Sequence, residues 1–280
     1  MHAPEHAEKI LRHCVHLQKS GLRKDVAPNE WTFSAVIHSW AVSGRPDALE
    51  HALGVLDLMH SLYQERVLPK EKLTSVFNSL IVAIAKNMND SSVDKAFDVL
   101  KRMKEVGVPQ DAATHNCMMT VLLADGRDGP QQALEYFQTL ESEYQGRENN
   151  MALDITNVNM ALNAMAKGNR QSAHSQAMDL LERMMQKWGI EPNAETFNTV
   201  MKILSRSNLD DSAERCEDLL REMKLQSVSG TTRPSVVTYA TCIQAWAYTR
   251  QVSQPDQALA AILLLVSYKF LLLCSPLTAQ

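Results

Sequence analysis

The sequence predicts an all-α fold, an α-solenoid of stacked helix-turn-helix repeats wound into a right-handed superhelix, and three observations lead there. The first is composition. Of 280 residues 45% are hydrophobic and 21% charged, enough to build a core, while Gly and Pro number only ten each, about half the average Gly frequency. Such a chain argues against an all-β sandwich or barrel. The second is helical periodicity in two alternating patterns, and the third is the constant distance between them.

The first pattern is an aromatic, Val or His, then a small polar residue, then an apolar pair. It occurs at Phe33-Ser34, Phe77-Asn78, His115-Asn116, Val158-Asn159, Phe197-Asn198 and Tyr239-Ala240. Counting from the second residue of each as an anchor, the positions one before and two, three and six after are apolar in every copy but for His115, as in Phe197, Val200, Met201 and Leu204. At about 100° per residue these form one stripe, with the anchor at its flank. The second pattern is a small residue with apolar residues three, four and seven later. It occurs at Ala52/Val55/Leu56/Met59, Ala96/Val99/Leu100/Met103, Ala133/Tyr136/Phe137/Leu140, Ala177/Leu180/Leu181/Met184, Cys216/Leu219/Leu220/Met223 and Ala258/Ala261/Ile262/Leu265. Ala7/Ile10/Leu11/Cys14 supplies a further copy before the first anchor.

First-helix and second-helix anchors lie 17 or 18 residues apart, whereas the step to the next first helix ranges from 20 to 26. The helix pair is therefore the rigid unit and length variation is confined to the loops between units. Neither helix can bury its stripe alone, so consecutive pairs must stack. The expected units are a partial repeat at 1–29 holding a second helix only, repeats at 30–73, 74–111, 112–154, 155–193 and 194–235, and a truncated last repeat at 236–280. The apolar run Leu259 to Leu273 contains Lys269 and spans 15 residues, short of the roughly 18 a spanning helix needs. It reads as a packed helix, and no membrane partner is expected. Pro4-Glu5-His6-Ala7-Glu8 already reads as a charged helix, so no targeting segment is expected.

Catalytic and metal signatures are missing. The five cysteines, Cys14, Cys117, Cys216, Cys242 and Cys274, form no Cys-x-x-Cys pair, which argues against a disulfide framework or a Cys-based zinc site. No Gly-x-Ser-x-Gly, Walker loop or His-Glu-x-x-His occurs, so the chain is expected to be no enzyme and to need no cofactor. His2, His6, His13, Cys14 and His16 cluster near the N-terminus, but they read as surface histidines and no metal site is assigned. The methionines at Met103, Met119, Met165, Met184 and Met223 fall on the stripes and read as core filler. A net charge of −4 leaves the partner open.

The strings Pro28-Asn29-Glu30-Trp31-Thr32-Phe33-Ser34, Gln110-Asp111-Ala112-Ala113-Thr114-His115-Asn116, Pro192-Asn193-Ala194-Glu195-Thr196-Phe197-Asn198 and Pro234-Ser235-Val236-Val237-Thr238-Tyr239-Ala240 resemble the repeat junction of pentatricopeptide repeat proteins. Second helices such as Asp94 to Val108 extend the resemblance, which covers residues 4 to 265. The units average near 41 residues, longer than the family's usual 35 or so.

The resemblance implies binding of single-stranded RNA with one base per unit, without catalysis, in a mitochondrion or chloroplast, by a monomer working with other proteins of RNA processing. It also implies that each base is read by the anchor together with the last residue of the same unit: Asn78 with Asp111, Asn116 with Asp154, Asn159 with Asn193, and Asn198 with Ser235. In this family Asn with Asp goes with uracil and Asn with Asn or Ser with cytosine or either pyrimidine, which gives a site of roughly U-U-C/U-C. Ser34 lacks a clear partner and Ala240 has no amide, so both should discriminate poorly. Of the residues three before each anchor, Trp31 and Val237 are the expected base clamps. Glu195 occupies the same place and would repel phosphates. Lys86, Lys167 and Arg206, eight after their anchors, are candidate phosphate contacts, or else cations favoured at helix ends by the dipole. The Asn row has its own alternative, capping or inter-helix hydrogen bonding. A protein-interaction scaffold binding a peptide or helix on the concave face is the alternative function.

Overall fold

The fold is described from a computed structural model over residues 3–21, 26–65, 73–86, 88, 91–126, 128–143, 153–168, 172–207, 209–226 and 232–248. Among these residues the regular structure is entirely α-helical: α1 (Ala3–Lys19), α2 (Glu30–Val42), α3 (Ala48–Gln64), α4 (Thr74–Lys86), α5 (Ser92–Val106), α6 (Ala112–Ala124), α7 (Gly129–Glu143), α8 (Ile155–Lys167), α9 (Ala173–Gln186), α10 (Ala194–Ser205), α11 (Ser212–Gln226) and α12 (Val236–Tyr248). No described helix is long and apolar enough to cross a membrane. The apolar run from Leu259 lies outside the described residues, as does the helix pattern beginning at Ala258. The helices group into two compact units, Met1–Leu153 and Asp154–Gln280. Both are all-α repeat solenoids.

The local reason for the helix starts is the same at each junction. Asn29 caps α2, Asp111 caps α6, Asp154 caps α8 and Asn193 caps α10, each in a capping box closed by the residue three further on: Thr32, Thr114, Asn157 and Thr196. Ser235 bonds Thr238 in both directions ahead of α12. These bonds satisfy backbone donors that a helix start leaves orphaned. At the far end of α5, Gly107 takes φ 70°, a left-handed geometry that favours Gly. Its N–H bonds Lys104 O, and Val108 N–H bonds Met103 O at 2.8 Å. The chain is thus turned toward the next first helix with Val108 buried.

In the first unit α2 packs on α1, α3 and α4, and α4 packs in turn on α5 and α6. First helices form one layer and second helices cover it. The core is the stripe read from the sequence: Phe33, Ile37, Trp40, Phe77, Leu80, Ile81 and Ile84 are at most 2% exposed. In the second unit α10 packs on α8, α9, α11 and α12, and Phe197, Val200, Met201 and Leu204 are fully buried. Met165, expected in the core, is only half-buried. It sits in the last turn of α8.

Helix α1 departs from its expected face. Ile10 is 65% exposed, while Glu8 is buried together with Pro4, Leu11 and Val15. The helix is rotated because Glu8 has partners inside. Its Oε2 accepts from Trp40 Nε1 at 3.0 Å and lies 3.0 Å from His51 Nδ1, and its Oε1 accepts from Arg12 Nε at 2.8 Å. The Trp40 and His51 rings stack at 4.0 Å and 5°, and the Arg45 guanidinium lies 5.5 Å from the Trp40 ring centre.

His115 fills the aromatic position of α6. It is buried, and its Nδ1 lies 2.7 Å from the Tyr136 hydroxyl of α7. Burial lowers its pKa below the usual 6.5. Folding therefore favours neutral imidazole. That contribution is complete above about pH 6.5 and is lost as the pH falls through the unfolded value toward the folded one. Replacing the pair by phenylalanines (H115F with Y136F) leaves no orphaned hydroxyl. The expected outcome is a smaller loss of stability between pH 7 and pH 5 than in the native chain, measured by urea denaturation.

Candidate nucleic-acid interface

The anchors lie on the first helices at the edge of the buried stripe. Ser34, Asn78, Asn116 and Asn198 are partly exposed, Ala240 is exposed, and Asn159 is only 4% exposed. None is a cap, since each is the fifth residue of its helix. Capping belongs instead to the junction residues paired with them.

Two of the expected pairs meet. Asn78 Nδ2 donates to Asp111 Oδ1 at 3.3 Å, the same oxygen that accepts from Thr114 N–H at the start of α6. Asn159 Nδ2 donates to Asn193 Oδ1 at 3.3 Å, which likewise accepts from Thr196 N–H. One side-chain oxygen thus starts a helix and holds an amide of the neighbouring first helix. The inter-helix hydrogen bonding considered for the Asn row is present at both.

The acceptor sides of the amides differ. The Oδ1 atoms of Asn78 and Asn198 are shielded and have no hydrogen-bond partner among the described residues. An orphaned buried acceptor costs about 1–3 kcal/mol. Asn159 Oδ1 instead accepts from Thr196 Oγ1 at 2.7 Å. Its Nδ2 also reaches Glu195 Oε2 at 3.3 Å, and Glu195 Oε1 accepts from Asn163 Nδ2 at 3.5 Å. Asn198 and Ser235 are brought to neighbouring helices, α10 and the start of α12. Asn116 lies on α6 in the first unit, and Asp154 caps α8 in the second. In front of α4 the position of the other caps is held by Leu73, which is buried and offers no polar group to Ser34.

Trp31 and Val237 stand out from the surface at 74% and 62% exposure. Large apolar side chains so exposed at the second position of a first helix are available for stacking. Lys86, Lys167 and Arg206 are exposed at the C-terminal ends of α4, α8 and α10. His2 lies outside the described residues. Among the described ones no three His, Cys, Asp or Glu side chains converge as metal ligands.

A groove of about 570 Å³ lies away from the anchors, between α5, α6 and α7, lined by residues that include Phe97, Leu100, His115, Gln132 and Tyr136. The sequence stripes did not reveal it. Phe97, 42% exposed, lies next to a stripe position rather than on one.

Within each unit, first helices that pack in series and junctions that repeat the same cap define a helical-repeat solenoid. Within this class the match is specific: residues 146–206 match the pentatricopeptide repeat domain, a span that takes in α8, α9 and α10. Over that span the chain is similar to pentatricopeptide repeats. Two solved structures of the pentatricopeptide repeat protein PPR10 in complex with an 18-nt psaJ RNA element, one a cysteine-to-serine variant, are similar at 14% identity with a TM-score of 0.28. The similarity covers 92% of this chain and 48% of each of those, so the chain spans about half their length. No curated protein matches.

Proposed function

We propose that this chain binds single-stranded RNA, one nucleotide per repeat, and prefers a pyrimidine-rich site of roughly U-U-C/U-C. The observation that carries the reading is the amide of Asn78, partly exposed at the edge of the stripe and held by the junction carboxylate of Asp111. An amide presenting one donor and one acceptor suits the Watson–Crick edge of a base. Trp31 and Val237 stack on bases, and Lys86, Lys167 and Arg206 contact phosphates. The protein acts without catalysis in RNA processing, stability or translation in a mitochondrion or chloroplast, as the family resemblance implies.

The test is a binding assay with a randomised single-stranded RNA pool at two salt concentrations, followed by sequencing of the retained fraction. Enrichment of a pyrimidine run whose retention falls steeply with salt is the expected result. Replacing Asn78, Asn116, Asn159 and Asn198 together by Ala is expected to abolish base preference while leaving a salt-sensitive residual affinity. Unchanged selectivity in that variant would remove the Asn row from recognition. Absence of RNA retention would favour peptide binding, for which the groove beside Phe97 and Tyr136 is the place to look.

A further inference from the structure

We infer that Glu195 sets the selectivity of the repeat anchored by Asn159: its carboxylate occupies the amide, so this repeat spans a nucleotide without selecting its base. The inference rests on the reading of the Asn row as base-recognising, and it changes the expected site from U-U-C/U-C to U-U-N-C, with N any base.

The hydrogen-bonding capacity of Asn159 is largely spent. A primary amide has two N–H donors and one carbonyl. At Asn159 the nitrogen faces Asn193 Oδ1 and Glu195 Oε2, both at 3.3 Å, and the carbonyl accepts from Thr196 Oγ1 at 2.7 Å. The residue is also the most buried of the four asparagines, at 4% exposure. Asn78 and Asn198 differ on the decisive point, the amide nitrogen: the residues at the place of Glu195 opposite them are Ala113 and Val237, which offer no carboxylate, and Asn78 Nδ2 donates to Asp111 Oδ1 alone among the described residues.

The cause is the second residue of the following first helix. The positions equivalent to Glu195 hold Trp31, Ser75, Ala113, Thr156 and Val237, none of them a carboxylate. Glu195 is well placed to stay where it is. It lies in the first turn of α10, where the helix dipole favours an anion, and its other oxygen accepts from Asn163, one turn along α8 from Asn159. A base that is to be read here must displace an ionised acceptor, with its own phosphate brought toward that negative charge. The bases on either side meet neither obstacle.

Three single variants of the full chain test this against the same RNA pool. Glu195→Val places at α10 the residue found at the same position of α12. It is expected to create a base preference of roughly fivefold or more at the nucleotide between those of Asn116 and Asn198, and adding Asn159→Ala should erase that gain. Glu195→Gln keeps an acceptor for Asn159 but removes the charge, so it should strengthen binding at low salt while leaving the nucleotide unselected. Asn198→Ala is the internal standard and should lose preference at its own nucleotide alone. The inference is overturned if the native chain already selects at the Asn159 nucleotide. It is also overturned if Glu195→Val leaves that nucleotide unselected while Asn198→Ala behaves as expected. If Asn198→Ala changes nothing, the recognition role of the Asn row fails first, and the inference falls with it.

Discussion

Phe197→Ala is expected to destabilise the second unit by about 3–5 kcal/mol. The ring is fully buried on α10, and α10 is the helix on which α8, α9, α11 and α12 all pack. Removing it takes away the transfer free energy of an aromatic side chain and leaves a cavity inside the unit that partial relaxation of the surroundings does not fill. A loss of this size is a large share of the 5–15 kcal/mol typical of whole domains. Urea denaturation followed by circular dichroism measures it. Phe197→Leu, which keeps most of the apolar volume, should cost only about 1 kcal/mol. Equal effects from the two would show that the site is not tightly packed.

The second large effect is expected at Trp40. Trp40→Ala removes a fully buried indole, with the roughly 3–5 kcal/mol cost of such truncations. It also strips Glu8 of the donor at 3.0 Å and His51 of its stacking surface. Trp40→Phe keeps one aromatic ring and removes the N–H with the rest of the indole, so Glu8 Oε2 loses one donor and a small cavity opens, and about 1–3 kcal/mol should be lost. A double-mutant cycle of Trp40→Phe with Glu8→Gln should give a coupling on the order of 1 kcal/mol. Strict additivity would mean that the indole N–H and the carboxylate do not stabilise one another.

These sites differ in how well they could be read in advance. Phe33, Phe77 and Phe197 were legible because a period near 3.6 places them on one stripe with their apolar neighbours, and local periodicity survives folding. Glu8 was not. A carboxylate goes inside only when specific donors await it, and those donors lie 32 and 43 residues further on. No local pattern announces them, so the stripe puts Ile10 inward where the fold exposes it. The junctions were half legible. Asp111-x-x-Thr114 and Asn193-x-x-Thr196 carry the spacing of a capping box, yet the capping alternative falls on Asn78, Asn116, Asn159 and Asn198 and not on their partners. Glu195 stood out in the sequence for its charge near phosphates. Its bond to Asn159 depends on how α8 and α10 pack, which spacing along the chain does not encode.

The double duty of the junction side chain bears on how such an array can be recoded. Asn29, Asp111, Asp154, Asn193 and Ser235 all belong to the small group of residues that initiate helices well. Under the proposed reading, Asp111, Asp154, Asn193 and Ser235 also supply the second letter of a recognition pair. The vocabulary at those four places is therefore short. Exchanges among Asp, Asn, Ser and Thr can change the message while the next helix still starts, whereas an apolar letter at Asn193 would unfasten α10 at a cost of about 1 kcal/mol. Repeated along the array, such changes would exhaust its stability before its specificity was rewritten. The first-helix anchors carry no such burden, so Asn78 and Asn198 are the positions where a new target can be written most freely.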